Sequence, residues 1–216
     1  MKRLRAVRSP LKLVGTIMIV VLSALFGFTH LHGAETAAGA GYALAQGTNE
    51  FGLWAGGSPD SSRIFGNVED RKLVLFALRY GRVLAAWDWV SLEYTLDIFP
   101  AALVFEPDRV RRGSSTIYGA GLSPLGLKFN FGQSWIQPFV SAGVGFLYFE
   151  DDVPVPDSSR FNFTPEIGLG LQFFLAPKRA LTVGYKLHHM SNAHTSGNNP
   201  GMDSHVFYVG FSFFTP

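Results

Sequence analysis

Residues 185–205 read YKLHHMSNAHTSGNNPGMDSH, the only stretch of the 216-residue chain in which histidine, serine and aspartate crowd together. A serine hydroxyl becomes a nucleophile when an imidazole takes its proton, and the imidazole does this best when a carboxylate holds it in one tautomer. Ser191, His189 and Asp203 could therefore attack a carbonyl carbon, with Asn192 and nearby backbone amides receiving the developing oxyanion. A serine two residues after a histidine is common by chance, so the reading depends on the elements that carry these side chains and on where each one points.

Those elements read as strands. In FNFTPEIGLGLQFFL (161–175), Phe161, Phe163, Ile167, Leu169, Leu171 and Phe173 occupy one parity, while Asn162, Thr164, Glu166, Gly168, Gly170 and Gln172 occupy the other. Val90, Leu92, Tyr94, Leu96 and Ile98 oppose Ser91, Glu93, Thr95 and Asp97 in the same way, and Leu125, Leu127, Phe129 and Phe131 oppose Lys128 and Asn130. Eight such segments are expected, at 49–56, 71–80, 87–98, 116–131, 136–148, 161–175, 179–191 and 203–214.

A soluble sandwich also alternates, so the signs of the two faces decide. Large apolar residues against polar residues and glycine fit a membrane barrel with its apolar face outward. The expected connections at 81–86, 132–135 and 176–178 are short, and those at 57–70, 99–115, 149–160 and 192–202 are long. This is the alternation of short periplasmic turns and longer extracellular loops. The fold class is thus all-β, an eight-stranded antiparallel transmembrane β-barrel. A cylinder of this size is filled by its own side chains, which disfavours a solute channel.

The parity then directs the chemistry. Leu181, Val183, Tyr185 and Leu187 form the apolar set of the seventh segment, and its continuation turns His189 and Ser191 outward. Phe207, Val209, Phe211 and Phe213 do the same in the eighth, which carries Asp203 and His205 to the outer side. With both termini periplasmic, the connection between these strands lies outside, at the level of the outer leaflet. A carboxylate on that face is costly unless it has a partner, which His189 supplies, and the substrate at that address would be a lipid.

At the other end of the chain, Lys2, Arg3, Arg5, Arg8 and Lys12 precede the apolar run Leu13–Phe28, followed by small residues. This reads as a secretory signal peptide within 1–45, cleaved after Ala34, Ala38 or Ala45, with the barrel over 46–216. A cut after Ala45 removes five of the 18 Lys and Arg and one of the 16 Asp and Glu, turning the formal charge from +2 to −2. Nucleic acid is therefore excluded as a partner, because the positive excess lies in the leader. Cysteine is absent, which excludes disulfides and thiolate metal sites.

HMSNA at His189–Ala193, followed by Asn199, Gly201 and an acid at Asp203, resembles the signature of the outer-membrane lipid A 3-O-deacylases (PagL-like), closely over the last ~35 residues and elsewhere as barrel pattern. The resemblance implies hydrolysis of the 3-O-linked acyl chain of lipid A in lipopolysaccharide, with no metal or other cofactor. It casts Ser191 as nucleophile, His189 as general base and Asp203 as orienting acid, with Asn192 and Asn199 in support. Two positions depart from the pattern: Asp203 stands where the type members carry Glu, and His194 where they carry Gly.

Other residues have plainer readings. His188, on the inward parity, is expected to bond an interior carboxylate such as Glu166, and His205 to sit near the headgroups. Arg109, Arg111 and Arg112 have the charge to bind lipid phosphates or simply to be solvated. Asp151, Asp152 and Asp157 lack calcium-loop spacing. Two alternatives stay open beside the esterase: a non-catalytic barrel for adhesion or membrane integrity, and a narrow channel for small hydrophobic compounds. A homodimer also stays open.

Overall fold

The structure is a computed structural model that describes residues 41–107, 110 and 116–216. Among the described residues, nine strands follow in chain order: β1 (Asn49–Ser58), β2 (Ser61–Ser62), β3 (Lys72–Ala86), β4 (Val90–Phe105), β5 (Thr116–Phe131), β6 (Ile136–Val153), β7 (Ser159–Ala176), β8 (Arg179–Met190) and β9 (Met202–Thr215). Eight of them are long, each pairs antiparallel with the next, and β9 pairs back to β1, so the sheet closes. The two-residue β2 continues along the edge of β9 beyond β1, opposite Ser204 and Asp203.

Closure leaves the sheet one interior, and the parity of each strand sorts its residues between the two sides. On β4, Ser91, Glu93, Thr95 and Asp97 are buried while Ile98 is exposed; on β7, Asn162, Thr164 and Gln172 are buried while Ile167 and Leu169 are exposed. The outer parity carries the exposed apolar residues, as expected for a barrel whose exterior meets hydrocarbon.

Two kinds of side chain fill the interior. Trp54 packs edge-on to Phe99 at 5.7 Å and against Tyr208 at 5.1 Å. Beside them the charges are paired: Arg79 donates two hydrogen bonds to Asp97 at 2.7 and 2.6 Å, and Lys128 lies 3.0 Å from Glu50 and 2.9 Å from Glu93. Lys186 pairs with Glu166 and stands 4.5 Å above the Trp54 ring. Buried charges need such partners, because an isolated ion away from water is strongly disfavoured. At the short-turn end, Tyr42 and Leu44 pack against Val83, Phe174, Ala180 and Phe214, and Gln137 donates to the Tyr42 carbonyl at 2.7 Å.

The connections differ from expectation in three places; one is the second long loop, expected to begin at residue 99, which begins only after Phe105 because β4 runs past its expected end at Ile98. Residues 81–86 belong to β3, and the turn falls at 87–89. Register shifts between Phe76 and Leu78 and between Val83 and Ala85 break the alternation there, so Gly81 and Arg82 imitate a turn. The third long loop shortens to 154–158, because β6 and β7 run past the expected strand ends; Asp151 and Asp152 therefore lie on β6. Arg109, Arg111 and Arg112 lie outside the described residues, as does most of the segment expected to be a signal peptide.

Candidate active site

β8 and β9 are paired in continuous register, with His188 opposite Ser204 and His189 opposite Asp203. Because alternate residues leave opposite faces, the neighbouring histidines separate completely. His188 is buried in the interior, where its Nδ1 meets Glu166 Oε2 at 3.1 Å, the expected partner. His189 shares the outer parity of the exposed Val183, and its Nδ1 meets Asp203 Oδ1 at 2.6 Å.

Asp203 is on the outer parity but has no exposed surface. It is covered by the first long loop, which turns back over β9 after β2. The backbone amides of Ile64, Phe65 and Gly66 all donate to Asp203 Oδ2, at 2.9, 2.7 and 2.8 Å. One carboxylate oxygen thus faces the imidazole and the other takes three amides, a set of donors suited to an ionised carboxylate.

Two glycines make this covering possible. A side chain on Gly66 would lie 2.5 Å from the Gly201 carbonyl carbon. Gly201 itself has φ of 65°, and a Cβ there would lie 3.1 Å from Gly66 Cα and 3.1 Å from His189 Cε1. The first and fourth loops therefore meet backbone to backbone beside the imidazole, a contact that two larger residues would prevent. Asn67 N–H also donates to the Pro200 carbonyl at 2.7 Å, and Arg63 and Glu69 pair at 2.9 Å across the base of the loop.

Ser191 follows the end of β8. Its backbone exchanges hydrogen bonds with Phe163 at 2.8 and 3.1 Å, which extends the sheet by one residue pair and keeps Ser191 on the His189 side. Two residues along a strand span about 6.5–7 Å between Cα atoms. The Ser191 hydroxyl makes no hydrogen bond to His189 among the described residues; such contacts commonly tighten only when substrate is bound.

Asn192 and Asn199 build the turn that follows. Asn192 is buried; its backbone N–H donates to Asn199 Oδ1 at 3.0 Å, and its Nδ2 to the Asn198 carbonyl at 3.1 Å. Asn192 Oδ1 accepts the His194 backbone N–H at 2.9 Å, which holds Ala193 and His194 at φ of 51° and 59°. Asn192 is thus committed to shaping the loop, and its own amide is already bonded. Asn199 accepts that bond with Oδ1 and keeps its side-chain nitrogen as a donor beside Asn192.

A profile of the lipid A 3-O-deacylase (PagL) family matches residues 76–212, more than half of the chain. The chain belongs to this family. In fold it resembles the crystal structure of the outer membrane enzyme PagL, with a TM-score of 0.58 and 19% identity, covering 74% of this chain and 97% of that one. It also matches the N-terminal β-barrel domain of OprF from Pseudomonas aeruginosa, at 16% identity over 80% of this chain and 100% of that one with a TM-score of 0.46. Neisserial surface protein A follows at 15% identity, 79% and 98% coverage and a TM-score of 0.47. No curated protein matches significantly. The protein is a bacterial outer-membrane β-barrel of the lipid A deacylase family.

Within this barrel, both departures from the family pattern have a local setting. Asp203, one methylene shorter than Glu, is the direct register partner of His189 and so reaches it. His194 occupies a left-handed backbone position that glycine adopts without strain.

Two further features were not expected from the sequence. His205 is not simply at the surface: its Nδ1 bonds the Tyr185 hydroxyl at 2.7 Å and its Nε2 the Ser62 hydroxyl at 2.9 Å, tying β2 to β9 and β8. The Ile64–Gly66 amides are invisible in a sequence, although an apolar pair, Ile64 and Phe65, ahead of a glycine in a polar loop was a usable signal. Among the described residues no three His, Asp or Glu side chains gather as a metal site.

Proposed function

We propose that the protein hydrolyses the 3-O-linked acyl ester of lipid A through a Ser191–His189–Asp203 mechanism on the outward, lipid-facing side of the barrel. The observation that carries this is the 2.6 Å contact between His189 Nδ1 and Asp203 Oδ1 on the outer parity, two residues from Ser191. An imidazole with its Nδ1–H on a carboxylate presents Nε2 as the base.

In the acylation step Nε2 takes the Ser191 proton as Oγ bonds to the ester carbon, and the carbonyl oxygen becomes an oxyanion. The Asn199 side-chain nitrogen and the backbone amide of Ala193 supply donors for it, since the His194 and Thr195 amides are bonded to Asn192. Collapse expels the 3-hydroxyl of the sugar, which takes the proton from His189, and leaves the acyl chain on Ser191. Water, deprotonated by His189, then releases the free acid and restores the serine. Asp203 remains a carboxylate throughout and stabilises the imidazolium. Family membership supports the substrate, and the outward parity supports its arrival from the outer leaflet.

The test is mass spectrometry of lipid A from cells producing wild type or Ser191→Ala. Loss of one 3-hydroxyacyl chain with wild type alone supports the reading. Identical lipid A in both, with the barrel folded in the membrane, removes it in favour of a non-catalytic barrel, and release of phospholipid fatty acids would redirect it to a phospholipase.

A further inference from the structure

The peptide that holds Asp203 also carries the most exposed apolar side chains of the site. Ile64 is 51% and Phe65 72% exposed, although their backbone amides are committed to a buried carboxylate. The Phe65 ring stands edge-on to the His189 ring at 6.1 Å, so it borders the imidazole directly. The exposed Phe207 and Val209 continue the same outer surface along β9.

The rest of the loop is anchored on either side of this tripeptide. Before it, Ser62 is tied through His205 to Tyr185. After it, Asn67 bonds to Pro200, and Val68 bridges to Met202. Between the anchors, Ile64–Gly66 is held by its three amides on Asp203, by Gly66 against Gly201 and by the Phe65 ring against His189, while the Ile64 and Phe65 side chains keep half or more of their surface exposed.

We propose that Ile64 and Phe65 bind an acyl chain of the lipid ester, and that this contact fixes the amides of Ile64–Gly66 on Asp203, so that substrate binding itself orients the acid. The inference rests on the esterase reading above. Three amides meet one carboxylate oxygen while the other faces His189, so any shift of the tripeptide turns the carboxylate and with it the imidazole. An acyl chain packed across Phe65 removes apolar surface from water and resists that shift. Phe65 is then a substrate-touching residue, and Gly66 a positioning residue that acts through Asp203.

Such coupling has a kinetic signature: kcat, and not KM alone, rises with acyl-chain length. A surface that merely bound chains equally in ground and transition states would change KM only. The experiment compares short-chain and long-chain p-nitrophenyl esters on the purified, folded barrel in detergent, using wild type, Phe65→Ser, Phe65→Leu and Ser191→Ala. In wild type kcat should climb with chain length; in Phe65→Ser the long-chain value should drop roughly tenfold toward the short-chain one, the scale of losing one buried apolar side chain. Phe65→Leu should restore most of the slope.

A slope in Phe65→Ser equal to wild type, with Ser191→Ala inert, overturns this inference and leaves the esterase standing. Esters hydrolysed equally by Ser191→Ala and wild type would remove the esterase, and this inference with it. A second measurement is independent of turnover. Because the chain has no cysteine, Phe65→Cys can carry a single bimane probe. In vesicles of phosphatidylethanolamine and phosphatidylglycerol with brominated acyl chains, quenching by bromine and shielding from aqueous iodide are expected. A probe quenched by iodide and insensitive to bromine overturns the proposal.

Discussion

His188 and His189 are neighbours in the chain and inhabit different chemical worlds. On the inner side, His188 belongs to a set of charges neutralised by other side chains: Glu166 with Lys186, Asp97 with Arg79, and Lys128 between Glu50 and Glu93. On the outer side, His189 faces a carboxylate whose second oxygen is held by backbone amides from a loop. The lumen balances charge with charge, which fixes and fills the cylinder. Beside His189 the acid is instead held by neutral dipoles, and the imidazole is the side chain that faces it. On the proposed reading, that difference separates scaffold from chemistry within one strand.

The comparison breaks most visibly at the two histidines. His189→Gln should lower lipid A deacylation by about 10⁴-fold while leaving the melting of the barrel nearly unchanged. His188→Gln should keep turnover and cost about 1–3 kcal/mol of stability, because Glu166 loses a partner. Lipid A mass spectrometry and heat-modifiable gel mobility read the two effects. If His188→Gln abolished turnover in a stable barrel, the division between the faces would be wrong.

Next in size is Lys186→Met, which leaves Glu166 and Asp97 with one cation fewer in the lumen. A loss of about 3–5 kcal/mol is expected in urea unfolding, with unaltered turnover per folded molecule. Gly66→Ala sharpens the outer half of the comparison. The added carbon meets the Gly201 backbone, the loop moves off, and turnover should fall on the order of 10²-fold with little change in global stability. The smallest change is His194→Gly, which relieves a left-handed backbone and should stabilise the fourth loop by about 1 kcal/mol, seen as slower proteolysis there.

The outward course of β8 and β9 was legible because an apolar exterior enforces alternation residue by residue: Val183 and Phe207 reveal where His189 and Asp203 must point. The pairing of these two strands was legible because they are consecutive. β3 was misread over 81–86 because register shifts near Phe76 and Val83 interrupt the rhythm on which the reading relies. The loop over Asp203 was hidden for a different reason. Its donors are main-chain N–H groups, which every residue type but proline carries, and they act on an acid 137–139 positions away. Nor did the residue types of Asn192 and Asn199 tell that they bond each other before anything else.

On the proposed reading, the outward position of His189 also changes what concentration means for the reaction. A site on the outer wall is reached by sideways diffusion within a leaflet, in two dimensions, with no passage through an aqueous phase. Its half-saturation point is then a mole fraction of substrate among neighbouring lipids, and diluting the leaflet with inert lipid should slow turnover even when the total amount of substrate is unchanged.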